Sequence, residues 1–116
     1  MAAIPEITVE TLAAKLRSAD QFVLLDVREP WELESARIID HRLVVAPMSS
    51  LSQLGLPGLP GVAQSREADV FVLCHHGVRS AQVTAWLSAH GWTRAFSVSG
   101  GIDEYARKVD SSVGSY

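Results

Sequence analysis

Short apolar runs alternate along this chain with stretches whose apolar residues recur three and four apart. Val9, Leu12, Ala13 and Leu16 make one helical face behind Thr8, a good N-cap, and Glu10 suits the positive end of that helix. Phe22-Val-Leu-Leu25 is a continuous apolar run that stops at Asp26, the pattern of a strand covered on both faces. Pro30 predicts a short helix through about Ser35. Arg42 to Val45 predicts a strand, and Ser49 is expected to cap a short helix with Leu51 and Leu54 on one side. The Pro and Gly residues of Gly55 to Gly61 break both regular periods and predict a loop. Val70 to Leu73 predicts a strand. Ser80 to His90 predicts a helix with Val83, Trp86, Leu87 and His90 on one face and Gly91 as its stop. Ala95 to Val98 predicts the last strand. Gly100-Gly101 turns the chain into a helix through about Lys108, and an irregular tail is expected from Asp110 to Tyr116.

Strands alternating with helices imply a parallel sheet with helices on both faces, and ligands of such sheets sit outside the carboxyl ends of the strands. Asp26, Cys74 and the Ser99-Gly100-Gly101 turn each fall at such an end. Three separate motifs therefore converge on one rim.

Composition narrows the classes. A chain of 116 residues with 47% hydrophobic and 20% charged side chains is expected to form one globular domain over 1–116, its core at about 7–108. A net charge of -3 without a Lys/Arg block argues against nucleic acid and anionic membrane as partners. No apolar run approaches the roughly 20 residues that span a bilayer. The opening Met-Ala-Ala-Ile-Pro-Glu6 does not read as a secretory signal. The single cysteine cannot form an internal disulfide, which fits a reducing compartment; a cytoplasmic location is expected.

That cysteine carries the chemistry. Val70-Phe-Val-Leu-Cys74-His-His-Gly-Val-Arg79-Ser80 puts a sulfur at the end of a strand, in a short loop, next to a helix N-terminus. Unpaired N–H groups and the helix dipole both favour negative charge there. Gly77 is expected to allow a positive φ or close backbone approach. His75 and His76 are adjacent on an open loop and do not converge on one metal, so no metal or cofactor is expected. They are expected to supply backbone N–H groups, with their rings at the pocket rim. Arg79 has two open roles, contact with substrate or an ion pair to a carboxylate such as Asp26 or Glu29. Ser80 reads as an N-cap, with a hydroxyl that could also face the sulfur. Asp26 and Arg28 read as a structural polar pair. Trp86 is expected in the core.

These residues resemble a known family. Leu24-Leu-Asp-Val-Arg-Glu-Pro-Trp-Glu32, Cys74-His-His-Gly-Val-Arg-Ser80 and Ser99-Gly-Gly101, in this order and spacing, are similar to a single-domain rhodanese, a sulfurtransferase with a persulfide-forming cysteine. The resemblance runs from about Ile7 to Lys108. It implies a three-layer α/β fold, with a five-stranded, mostly parallel sheet flanked by helices on both faces. It also implies that Cys74 accepts a sulfane sulfur and that the loop of His75, His76, Gly77, Val78, Arg79 and Ser80 wraps around it. Ile38-Ile39-Asp40-His41 and Glu104-Tyr105 depart from the family pattern.

Three functions fit a reactive Cys74. In the first, a sulfur donor such as thiosulfate or another persulfide loads Cys74, and cyanide, a thiol or a protein acceptor unloads it, in double displacement. In the second, the domain is a persulfide carrier or interaction module with little small-molecule turnover. The third is a phosphatase or arsenate reductase, which needs a longer loop; here only four residues separate Cys74 from Arg79.

Overall fold

The structure, a computed structural model, describes residues 3–116. Its five strands are β1 (Glu6–Ile7), β2 (Val23–Asp26), β3 (Leu43–Val45), β4 (Val70–Leu73) and β5 (Ala95–Val98). They form one sheet in the order β1-β5-β4-β2-β3. Every pairing is parallel, so the expected sheet is parallel throughout. Its helices are α1 (Val9–Leu16), α2 (Met48–Leu54), α3 (Val78–Ala89) and α4 (Gly101–Lys108).

Every residue of β2 and β4 is buried, as their unbroken apolar runs require of strands in the middle of a covered sheet. Their side chains alternate between two cores. Val23, Leu25, Val70 and Val72 meet Leu51, Val83, Leu87 and Trp92 on the face covered by α2 and α3. Leu24, Phe71 and Leu73 meet Val9, Leu12, Ile102 and Tyr105 on the face covered by α1 and α4. Cys74 continues the first alternation, and its side chain therefore points towards the α3 side.

Several local expectations change. The two-residue β1 is too short to show a period of its own; pairing with Ser97 and Val98 creates it. Helix α2 starts at Met48, directly after Pro47, so Ser49 is inside its first turn and is not the N-cap; its hydroxyl donates to Glu29 Oε1 (2.8 Å). Helix α3 starts at Val78, so Ser80 is inside its first turn and is not the N-cap. The Gly55–Gly61 loop contains tight 3₁₀ turns at Leu56–Gly58 and Gly61–Ala63. Trp86 is half-buried at the edge of the core, whereas Trp92 is fully inside and donates its indole N–H to Ala63 O (3.0 Å). The tail is not loose: Ser111–Val113 is a 3₁₀ turn and Gly114 pairs with Ala36. Among the described residues, no helix is long and apolar enough to cross a membrane.

Leu24 has no exposed surface and is flanked by β3 and β4. Leu24→Ala should therefore lower stability by about 2–5 kcal/mol. Leu54→Ala, at an exposed position, should stay within about 0.5 kcal/mol of the parent. Urea unfolding midpoints of the two variants check this contrast.

Candidate active site

Cys74 immediately follows β4, and the chain must reverse within three residues to start α3. Gly77 permits this with φ 103°, and a Cβ there would come within 3.1 Å of Gly100 N. The reversal turns backbone donors onto the sulfur. Gly77 N–H donates to Cys74 Sγ at 3.0 Å and Ser80 N–H at 3.3 Å. The thiol in turn donates to Ser80 Oγ (3.3 Å), and Ser80 Oγ lies 2.8 Å from Ser97 Oγ. Cys74 is only 1% exposed and belongs to the apolar cluster on the α3 side, while its sulfur also takes polar contacts from Gly77 and Ser80. Its loop lies at the surface, with His76 and Val78 both exposed. A cavity of about 370 Å³ between α2 and α3, lined by Met48, Leu51 and Trp86 among others, does not include Cys74.

The Ser99-Gly100-Gly101 turn supports this loop from behind. Ile102 N–H donates to Cys74 O (2.9 Å) and Asp103 N–H donates to His75 O (3.0 Å). Gly101 has φ 62°, and a side chain there would collide with the carbonyls of Cys74 and His75. The turn thus braces the loop's carbonyls, while the Gly77 and Ser80 N–H groups face the sulfur.

A chain of charges borders the loop. Arg28 is fully buried and bonds Asp26, also fully buried, through Nη2 (2.7 Å) and Nε (3.0 Å). Arg28 Nη1 donates to Ala36 O (2.8 Å) and to the Tyr116 hydroxyl (3.2 Å). That hydroxyl donates to Glu32 Oε1 (2.9 Å). Glu32 receives Arg79 through two bonds, Nη1 to Oε2 (2.7 Å) and Nη2 to Oε1 (2.9 Å). Arg79 is therefore a brace in this structure, and its partner is Glu32, not Asp26 or Glu29. Sequence reasoning missed Glu32, Ser97 and Tyr116. Only Glu32 carried a signal: it is an acidic residue in the short helix started by Pro30, and the helix buries it.

The rhodanese-like domain model matches residues 8–108. The chain belongs to the rhodanese-like domain family. It is 31% identical over 104 residues to a protein of Allochromatium vinosum named sulfurtransferase, and the match covers 90% of each chain. It is 36% identical over 118 residues to rhodanese-like/PpiC domain-containing protein 12, chloroplastic, of Arabidopsis thaliana. That match takes in 97% of this chain but only 38% of the plant protein. The crystal structure of a rhodanese-like domain protein from Staphylococcus aureus superposes with a TM-score of 0.71 at 27% identity, covering 87% of this chain and 90% of that one.

Within this rhodanese-like domain the two histidines differ from expectation. Among the described residues, the N–H donors to the sulfur are those of Gly77 and Ser80, not those of His75 and His76. The His75 ring lies between the rings of Tyr116 (centroids 3.8 Å apart, 8° between planes) and His76 (3.8 Å). Burial, then the neighbouring His76, pushes the His75 pKa down, and its buried Nε2 has no hydrogen-bond partner to stabilise a charged ring. His75, His76 and Asp103 bring ligand atoms within 4.8 Å of one another. The two histidine rings are tilted by 30°, and the adjacent residues do bring their nitrogens together, contrary to the expectation for an open loop.

Hydrogen bonds from Arg79 hold the Glu32 carboxyl down at about 2 from an ordinary 4.5, against the effect of burial; the Glu29 N–H and Tyr116 hydroxyl assist. The folded value is the lower one, so the stabilisation is complete above about pH 4.5 and disappears as pH falls towards about 2. Urea midpoints should fall across this window, and should fall less in Glu32→Gln. Parallel curves for the two proteins would show that the carboxylate contributes nothing.

Proposed function

We propose that this rhodanese-like domain is a sulfurtransferase that carries sulfane sulfur on Cys74. It takes the sulfur from thiosulfate or another persulfide donor and passes it to cyanide, a thiol or a protein. The observation that supports this most is the convergence of Gly77 N–H, Ser80 N–H and the Ser80 hydroxyl on one sulfur atom. Two N–H donors and an adjacent hydroxyl that can turn to donate suit a single anionic sulfur. They do not form a cradle for a tetrahedral oxyanion, and the guanidinium that would close such a cradle is held by Glu32.

The chemistry is covalent and in two steps. The Cys74 thiolate attacks the outer sulfur of the donor. An S–S bond forms, the donor's bond to that sulfur breaks, and its electron pair leaves with sulfite or a thiolate. The acceptor then attacks the outer sulfur of the persulfide and releases the Cys74 thiolate. In the thiol state Ser80 accepts from sulfur. In the anionic states its hydroxyl turns to donate, and Ser97 Oγ, 2.8 Å away, can donate to Ser80 Oγ in its place. The first turn of α3 adds its positive end to the same point.

Incubation with thiosulfate or with glutathione persulfide should leave one extra sulfur on Cys74, visible by mass spectrometry and removed by cyanide. Cys74→Ser should take up none. A parent protein left unmodified by both donors would overturn the proposal. Ser80→Ala keeps the backbone donor but loses the hydroxyl. Its single-turnover sulfur uptake should slow by roughly ten- to a hundredfold, the range expected for one hydrogen bond to a charged group.

A further inference from the structure

We propose that Glu32, held in place by Tyr116, is a specificity-determining residue. It cancels the charge of Arg79 beside Cys74, so that the site prefers singly charged persulfide donors to dianionic thiosulfate. This rests on the sulfur-transfer reading above and goes beyond it to the class of donor.

Glu32 is fully committed to its partners. Its side chain is 4% exposed, and that of Arg79 is 31% exposed. Both oxygens are filled: Oε2 takes Arg79 Nη1 and the Glu29 N–H (2.8 Å), and Oε1 takes Arg79 Nη2 and the Tyr116 hydroxyl. A bidentate pair with further donors on both oxygens has little freedom to swing away. Tyr116 is itself fixed, stacked on His75 and bonded by Arg28. The tail thus clamps the pair from the side of the cysteine loop.

The remaining cations near the loop are occupied too. Among the described residues, Arg28 is on Asp26 and Arg107 is on Asp103. Burial pushes the His75 pKa down, and its buried Nε2 has no hydrogen-bond partner, so its charged form is disfavoured. Arg79 stands in the first turn of α3 beside Ser80, whose N–H and hydroxyl face the Cys74 sulfur, and both of its terminal nitrogens are taken by Glu32. His76 Nδ1 lies 3.8 Å from the same Asp103, so among the described residues these loop-side cationic groups each face a carboxylate, and an approaching anion meets chiefly N–H dipoles.

Donors differ in how much they need such a charge. With thiosulfate, the thiolate and S–SO₃²⁻ become Cys–S–S⁻ and SO₃²⁻. With an alkyl persulfide, the thiolate and R–S–S⁻ become Cys–S–S⁻ and R–S⁻. Both reactions move the same sulfur with balanced charge, but thiosulfate brings one more negative charge into the loop. A neutralised Arg79 penalises that extra charge, and an uncancelled one would reward it.

The test compares kcat/KM for thiosulfate with kcat/KM for 2-hydroxyethyl persulfide, whose only charge is the persulfide anion. Glu32→Gln should raise the thiosulfate-to-persulfide ratio by roughly tenfold, mainly through a lower KM for thiosulfate. Glu32→Asp should keep the parent ratio. The double variant Glu32→Gln/Arg79→Gln should lose the gain, because no cation is left to release. A purely structural role would lower both donors alike, and an unchanged ratio in Glu32→Gln overturns the proposal. If Glu32→Gln does not fold, Tyr116→Phe removes one donor from Glu32 and should shift the ratio in the same direction by a smaller factor; an unchanged ratio there overturns it equally. Failure of the parent to take sulfur from either donor overturns the sulfur-transfer reading itself. Uptake by the parent with an unaltered ratio in the variants overturns only the role of Glu32.

Discussion

A guanidinium with no exposed surface organises this molecule. Arg28 has given up all its water, and a charge in that position must be matched by an opposite charge and by acceptors for its remaining donors. Asp26, at the end of β2, supplies the charge. Ala36 O and the Tyr116 hydroxyl supply the acceptors. Removing one partner of such a buried pair typically costs about 3–5 kcal/mol, because the other charge is left stranded. The pair therefore does more than join two side chains. It fixes the path of the chain from Val27 to Ala36, and that path carries Glu32 to Arg79.

The cysteine loop depends on the same rigidity from the other side. Its sulfur contacts come mostly from the backbone, so they are only as good as the turn that aims them. Gly77 bends the chain, the first turn of α3 presents Ser80, and α4 holds the carbonyls of Cys74 and His75 away from the sulfur. Arg79 is a neighbour of Ser80 in sequence, and its bond to Glu32 ties that first turn to the β2 side of the sheet. Loop geometry and charge balance are thus set by one connected network.

Much of this was legible in the residues themselves. Strands β4 and β5 lie where their apolar runs predicted, and the positive φ of Gly77 follows from the need to reverse in so few residues. The rim shared by Asp26, Cys74 and the Gly100-Gly101 turn followed from strand ends in a parallel sheet. Ser80 was misread as a cap because a serine at a helix start usually is one; a glycine-led turn moved the start to Val78 and put the hydroxyl on the sulfur. Tyr116 gave no signal, since a polar-looking tail has no period to betray a docked side chain.

Periodicity, glycine placement and the position of the single cysteine are local properties, and the sequence alone determined them: a parallel α/β sheet with one cysteine at its rim. Which charges pair is not local. Arg79 meets Glu32 across 47 positions, Tyr116 meets Glu32 across 84 and Arg28 across 88. Only tertiary folding decides such pairings, because it sets which buried charges lose their water together and must satisfy one another.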